Sequence, residues 1–172
     1  MRRILLPALF TVIFILESTL VEFMPTKFFN SERILVPHLL LIAILLLTIY
    51  FKSSMGILYG FIFGLLFDVV YTEIIGIYLT LFPLIALAIS KIIRSLQTNF
   101  LIVTLVSLLG VTLLELGALG FNFMIHKTDM AFSVFVSFRL LPTLLYNLVL
   151  TIIVIYPLSK LFEKIALQMR NE

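Results

Sequence analysis

The stretch GFIFGLLFDVV, which runs from Gly60 to Val70, is apolar except for one carboxylate, Asp68. The whole chain of 172 residues is 62% hydrophobic and 12% charged, and its mean hydropathy is +1.23. Soluble domains are about half apolar and about one quarter charged. A soluble core could not bury this much apolar surface, so the composition predicts an integral membrane protein. Asp68 is then a catalytic group, part of a substrate pocket or a structural anchor.

Six apolar segments are long enough to cross the bilayer, which takes about 20 helical residues. They must be helices, because lipid offers no hydrogen-bonding partner to an open strand. We therefore predict an all-α polytopic membrane protein, with residues 1–172 forming a single six-helix transmembrane domain in one bundle. Pro83 is expected to kink the fourth helix, and Pro142 to mark the start of the sixth and a kink there. The predicted spans are 4–24, 34–51, 56–71, 74–93 or 76–93, 100–121 and 140–161.

Lysine and arginine are unevenly shared between the two sides of this topology. With the N-terminus inside, eight basic residues lie on the inner side and four on the outer side, so both termini are predicted to be cytoplasmic. The first span is long and contains Glu17 and Glu22, so we expect it to stay in the protein and not to be cleaved as a signal peptide. The inner set is Arg2, Arg3, Lys52, Lys91, Arg94, Lys160, Lys164 and Arg170, and the outer set is Lys27, Arg33, Lys127 and Arg139.

Two further segments are apolar but interrupted by charge. Residues 124–138 are predicted to be either an interfacial or re-entrant piece on the outer side or an early start of the sixth helix. Residues 157–172 place apolar and basic side chains on different faces, which predicts a cytoplasmic amphipathic tail. The alternative is a frayed end of the last span.

The polar residues within the spans gather in one leaflet, the outer one in this topology. An ionised residue at mid-bilayer costs about 2.5–3.5 kcal/mol, so these side chains should face one another or a wet cavity. We predict a polar cluster in which Arg139 or His38 is the counter-ion of one of the three carboxylates. The alternative is that each carboxylate is protonated and bonded to a nearby backbone carbonyl. The predicted cluster consists of Glu17, His38, Asp68, Glu115, Arg139 and Asn147.

Glycines line one face of the third span. Gly56, Gly60 and Gly64 are spaced by four, and Asp68 is the next residue in the series. Each step of four drifts by only about 40° around a helix, so these residues form a stripe. Small residues at this spacing let another helix approach closely. The stripe, with which we group Gly76, is a packing surface inside the bundle or a groove for a partner's transmembrane helix, and the two uses can coexist.

Enzyme chemistry finds little support in the sequence. The chain has no cysteine, and Asp68 is the only aspartate in the predicted spans, whereas an intramembrane aspartyl protease needs a pair. His38 has no obvious serine partner, although Ser18 is not excluded. The sequence lacks a zinc-protease motif, a phosphate-binding glycine loop and a paired-aspartate motif for a prenyl diphosphate. We therefore expect no catalytic residues, no metal, no cofactor and no nucleic-acid partner.

The sequence resembles the MreD family of bacterial rod shape-determining membrane proteins. The resemblance is carried by YGFIFGLLFDVVYTEIIGIY, with Gly60, Gly64, Asp68 and Gly76 at matching positions. It extends to LLPALFTVIFILES, VPHLLLIAILLL, TNFLIVTLVSLLGVTLLEL and RLLPTLLYN, and so covers most of the chain. His38 departs from the pattern, because a basic residue is expected there in relatives.

The resemblance implies a non-catalytic scaffold of the cell-wall elongation complex in the bacterial plasma membrane. Its expected partners are a single-span MreC-like protein, a RodA-like glycosyltransferase, a class B penicillin-binding protein and the actin-like MreB. The expected fold resembles the substrate-binding components of energy-coupling-factor transporters. A vitamin-type substrate-binding subunit is therefore the alternative function, although the chain has no tryptophan and its loops lack an obvious ligand-binding set. In the scaffold interpretation, Asp68 is a buried structural anchor at the end of the glycine stripe, which fixes the third helix against the fifth or sixth and shapes the surface that a partner helix meets.

Overall fold

The computed structural model describes residues 5–23, 34–72, 74–126, 128 and 130–170, and this part of the chain is helical, without a strand. The all-α class is therefore confirmed. Five helical runs are long and apolar enough to cross a membrane, and a shorter apolar helix, α2, accompanies them. The elements are α1 (Leu5–Phe23), α2 (Leu39–Tyr50), α3 (Ser53–Tyr71), α4 (Ile77–Arg94), α5 (Phe100–Met124), α6 (Phe132–Phe135), a π-helical turn (Val136–Leu140) and α7 (Leu141–Arg170).

The second predicted span, 34–51, is wrong at its start. Residues 34–38 are not helical, and α2 begins only at Leu39. Pro37 explains the difference, because a proline disfavours helical geometry in the residue before it and has no N–H of its own to donate. The remaining 12-residue helix is about 18 Å long, well short of the hydrocarbon thickness of about 30 Å.

Helix α2 lies in the centre of the bundle. It contacts α1, α3, α4, α5 and α7, and every side chain from Leu39 to Thr48 is buried. A helix that is apolar on all sides is stable only where neighbours surround it. The short second helix is thus the core around which the spanning helices pack.

The glycine stripe of α3 faces the protein's own helices. A Cβ added at Gly60 would lie 3.1 Å from the backbone nitrogen of Pro83, and one at Gly64 would lie 2.5 Å from the carbonyl oxygen of Tyr78. A Cβ at Gly56 would collide with the side chain of Thr48 on α2. These glycines therefore let α3 lie against α4 and α2, and the same face cannot also be a groove for a partner's helix.

An aromatic series runs along α3 beside the glycines. Two side chains of α1 pack against it: the ring centroid of Phe10 lies 4.7 Å from that of Tyr59, and the centroid of Phe14 lies 5.5 Å from that of Tyr71. This series is not among the features predicted from the sequence, although its spacing of four matches that of the glycines. Its members are Tyr59, Phe63, Phe67 and Tyr71.

The last helical run begins earlier than the predicted span 140–161. It starts at Phe132, passes through the π-helical turn and continues to Arg170. Of the two alternatives for residues 124–138, the early start of the last helix is the one observed from Phe132 onward. Pro142 is the second residue of α7 and therefore lies near the start of that helix, although the longer helical run already begins at Phe132. The helix also continues through Pro157, and its Phe162 ring stacks on Phe10 with centroids 6.3 Å apart.

Candidate functional site

Polar side chains complete the first turn of α2. The first N–H groups of a helix have no partner within the helix and must find one elsewhere, above all in a membrane. The backbone N–H of Leu40 donates to Glu17 Oε2 at 2.6 Å, and that of His38 donates to Asn147 Oδ1 at 2.8 Å. A carboxylate at this position also interacts favourably with the positive end of the helix dipole. Glu17 and Asn147 thus satisfy the buried start of the central helix.

The extended segment before α2 is held against α7. Asn147 Nδ2 donates to the carbonyl oxygen of Val36 at 2.8 Å, so this side chain bonds the segment at two points. One helical turn away, Thr143 Oγ1 accepts the N–H of Val36 at 3.3 Å and donates to the carbonyl oxygen of Ile34 at 3.4 Å. The polar backbone of the extended segment is therefore satisfied by side chains of the last helix.

Pro142 contributes to the same attachment because it has no backbone N–H. A helical residue normally donates its N–H to the carbonyl four residues earlier, and proline cannot. The carbonyl of Phe138, four residues before Pro142, instead accepts the N–H of Ile34 at 2.9 Å. Proline at this position leaves an acceptor in the π-helical turn for the incoming extended chain.

Glu115 is bonded to both candidate counter-ions. His38 Nε2 lies 2.8 Å from Glu115 Oε1, and Arg139 Nε donates to Glu115 Oε2 at 2.7 Å. Glu115 and His38 are only 1% and 2% exposed, whereas Arg139 is 31% exposed and reaches the end of the bundle. Of the three carboxylates weighed as partners, Glu115 takes both the histidine and the arginine, while Glu17 has a backbone partner. We call Glu17, His38, Glu115, Arg139, Thr143 and Asn147 the polar layer.

Asp68 caps α4 and does not bond to the polar layer, so the prediction that it fixes the third helix against the fifth or sixth is wrong. Its Oδ2 accepts the N–H groups of Gly76 and Leu79 at 2.9 Å each, and its Oδ1 accepts that of Tyr78 at 3.0 Å. Thr72 Oγ1 adds a longer contact to Oδ1 at 3.4 Å. The fully buried carboxylate therefore meets the dipole and the free N–H groups at the start of α4. Among the described residues, no hydrogen bond or ion pair joins Asp68 to Glu17, His38, Glu115, Arg139 or Asn147.

Gly76 allows this cap to form. It precedes α4 with a φ of +130°, which side-chain-bearing residues rarely adopt. This conformation turns the chain so that three N–H groups at the helix start, those of Gly76, Tyr78 and Leu79, converge on one carboxylate. Gly76 thus acts at a turn, whereas Gly56, Gly60 and Gly64 act by close packing.

Two cavities lie at the same end of the bundle as the polar layer. One of about 320 Å³ is bordered by Tyr71 and Tyr78, and one of about 230 Å³ is bordered by Glu115 and Phe135. Ala118, Asn122 and Arg139 line both cavities. Arg139 is therefore the charged group that connects the polar layer to space outside the packed core.

The arrangement supports structural roles for the polar side chains. The oxygens of Glu17, Asp68 and Glu115 all accept hydrogen bonds from the protein itself. In the described ranges, no group of three His, Cys, Asp or Glu residues is placed to hold a metal ion. Sequence reasoning missed Thr143, although its spacing of four from Asn147 on one helix face could have indicated it. It also missed the backbone partners, which leave no signal in side-chain patterns.

Comparisons with known proteins place the chain in one family. The family model described as rod shape-determining protein MreD matches residues 2–165. The chain is 32% identical to the rod shape-determining protein MreD of Bacillus subtilis (strain 168), over 172 residues and the full length of both chains. It is 29% identical to the cell shape-determining protein MreD of Streptococcus pneumoniae (strain ATCC BAA-255 / R6), over 66% of this chain and 69% of that protein. No solved structure matches the chain significantly. The chain belongs to the MreD family of rod shape-determining membrane proteins and has a role in cell shape.

Proposed function

We propose that the protein is a non-catalytic scaffold that organises cell-wall elongation in the bacterial plasma membrane. In this proposal it holds a single-span MreC-like protein near a RodA-like glycosyltransferase and a class B penicillin-binding protein, with MreB on the cytoplasmic side. The family match over nearly the whole chain is the observation that carries the proposal. The use of Asp68, Glu17 and Glu115 as internal hydrogen-bond acceptors supports it, because these are the groups that an active site would need free.

The proposed orientation has both termini in the cytoplasm. The connection between α2 and α3, the end of α4 and the end of α7 lie at one end of the bundle, and their basic side chains are exposed. This distribution supports placing that end inside, since lysine and arginine favour the cytoplasmic side. Arg2, Arg3, Lys27, Arg33 and Lys127 lie outside the described residues, as does the side chain of Arg170. The exposed basic residues are Lys52, Lys91, Arg94, Lys160 and Lys164.

Complementation combined with co-purification tests the scaffold proposal. The tagged protein replaces the native family member in a rod-shaped host, and gently solubilised membranes are analysed for co-purifying proteins. Wild type and the control Glu163→Gln, at an exposed carboxylate, should restore rod shape and recover a single-span protein together with wall synthases. Asp68→Asn should insert normally but recover less of these partners, because α4 loses part of its cap. Full shape and full recovery with Asp68→Asn would contradict the anchoring role.

A small-molecule-binding subunit is the second candidate, and the two cavities favour it. They lie beside Arg139 at the end of the bundle that faces outward in the proposed topology, as a transporter's binding site would. The same purification separates the two functions. Recovery of ATPase subunits and an energy-coupling membrane protein, with no wall synthase, would favour the transporter.

A further inference from the structure

Helix α1 differs from α3 and α5 in its exposed residues, because it exposes polar groups among apolar ones such as Val12 and Leu16. Only 22% of the residues from Leu5 to Glu22 are buried, which is the lowest share among the five helical runs that could cross the membrane. Its exposed face carries two hydroxyl groups, those of Thr11 and Thr19, and the carboxylate of Glu22. The exposed faces of α3 and α5 are instead formed by large apolar side chains, which suit lipid. On α3 these include Phe61, Leu65 and Val69, and on α5 they include Leu101, Leu105 and Leu109.

The polar groups of α1 form a narrow stripe of hydrogen-bond acceptors. At about 100° per residue the stripe is only about 80° wide. Thr11 Oγ1 donates to the carbonyl oxygen of Pro7, and Thr19 Oγ1 to that of Ile15, at 2.9 Å each. The hydroxyl hydrogens are therefore used within the helix, and what remains for a neighbour is lone pairs. We call this set, Ala8, Thr11, Ile15, Thr19 and Glu22, the acceptor stripe; all five residues are exposed.

We propose that the acceptor stripe is the docking surface for one transmembrane helix of a different protein, a helix with small or donor-bearing residues along the seam and a lysine or arginine facing Glu22. The stripe is one side chain wide, and α1 has 19 residues, about 28 Å, which matches a single crossing of the bilayer. Small and hydroxyl residues are the usual contact residues between membrane helices. This inference rests on the proposed scaffold function and assigns the surface that binds its single-span partner.

The negative charge of Glu22 argues against a second copy of this chain as the partner that binds the acceptor stripe. Two copies in one membrane have the same orientation, and a symmetric contact through α1 would bring the same residues face to face. Glu22 would then oppose Glu22, and like charges across an interface are costly. A helix with a basic residue at that level removes this repulsion and supplies the donor that the stripe lacks.

Site-specific photo-crosslinking in native membranes tests the surface. A photoreactive amino acid is placed in the full chain at Thr11 or Thr19, with matched controls at Val69 on α3 and Leu105 on α5, which are 60% and 57% exposed. The stripe positions should form an adduct with a single-span protein at about five times the control yield or more. Glu22→Lys should reduce the yield about fivefold or more, and exchanging the partner's facing basic residue for glutamate should restore it.

The outcomes separate this surface from the scaffold function. Capture of the single-span protein at Val69 or Leu105, with only lipid adducts or self-adducts at Thr11 and Thr19, would overturn the docking surface while the scaffold function stands. Unchanged crosslinking with Glu22→Lys would overturn the charge pairing and with it the assigned partner helix. Failure of wild type to co-purify any wall-synthesis protein would overturn the scaffold function and this inference together.

Discussion

The carboxamide oxygen of Asn147 accepts the backbone N–H of His38 at 2.8 Å, which joins the last helix to the start of the central one. The same carboxamide donates to Val36 and to its own helix at the carbonyl oxygen of Thr143. A single uncharged side chain therefore satisfies three backbone groups where water is excluded. This bond fixes where α2 begins relative to α7.

Replacing Asn147 should loosen the start of α2 selectively. Asn147→Leu keeps the approximate volume but removes the acceptor of the His38 N–H. Hydrogen exchange at the His38 amide should then accelerate about tenfold or more, the effect of losing about 1.4 kcal/mol of protection. Asn99→Ala is the matched control, because Asn99 Oδ1 accepts the N–H of Ile102 at the exposed start of α5. It should change exchange near Ile102 and leave His38 unchanged, and equal effects at His38 would contradict the attachment.

Loss of the Asp68 cap should destabilise the bundle in a graded way. Asp68→Ala removes the acceptor of three backbone N–H groups, and Asp68→Asn retains one of the two oxygens without the charge. We expect the free energy of unfolding to fall by about 1–3 kcal/mol for each buried donor left without a partner, with Ala worse than Asn. SDS titration of the purified protein, followed by circular dichroism, measures this difference. The free energy of unfolding of Glu163→Gln should stay within about 0.5 kcal/mol of wild type. If this control loses as much stability as the Asp68 variants, the effect is not specific to the cap.

Two glycine-to-alanine variants should separate backbone from side-chain contacts. In Gly64→Ala the new Cβ meets the backbone carbonyl of Tyr78 at 2.5 Å, which cannot move without shifting α4. In Gly117→Ala it meets the tip of the Leu81 side chain at 2.6 Å, which can rotate away. Thermal unfolding in detergent should show a clearly lower midpoint for Gly64→Ala. Equal midpoints for the two variants would mean that α3 and α4 are not held in close backbone contact.

A double-mutant cycle should reveal the coupling between the buried carboxylate of Glu115 and the partly exposed Arg139. Arg139→Gln leaves the carboxylate of Glu115 with His38 alone, whereas Glu115→Gln removes the buried charge and Arg139 can turn toward the cavities. The double variant should therefore be less destabilised than the sum of the single variants, with a coupling of about 1–3 kcal/mol. The reference is the exposed contact in which Lys160 Nζ lies 4.3 Å from the centroid of the Tyr156 ring. Its coupling energy should be less than about 1 kcal/mol. If the destabilisations by Glu115→Gln and Arg139→Gln simply add, the two side chains do not stabilise each other and the ion pair is excluded.

Composition and helix length were enough to predict the all-α membrane fold and most of its helices. The predicted start of the second span at Ile34 failed because hydrophobicity alone does not register the effect of Pro37 on the preceding backbone. The sequence alone does not distinguish an early start of the last helix at Phe132 from an interfacial piece, because the charged residues before it obscure the apolar pattern.

The residues of the site were easier to select than their partners. The cost of burying a polar group pointed to Glu17, Asp68 and Glu115, but no side-chain pattern reports a backbone N–H such as that of Leu40 or Gly76. The partners depend on where helices begin, and helix starts are the least certain feature of a sequence-based prediction. The charge count also could not decide which of the three carboxylates Arg139 would contact.

The attachment of residues 34–38 to α7 has a consequence for how the protein is made. Thr143 and Asn147 bond backbone groups that lie 107 to 111 positions earlier in the chain. The ribosome therefore completes α2 long before it adds Thr143 and Asn147. Until the last helix is inserted, the backbone groups before α2 lack these hydrogen-bond partners. A chain that stops before Thr143 has a segment at its centre whose backbone groups lack these partners, so truncation there should yield a substrate for membrane proteases rather than a partly active protein.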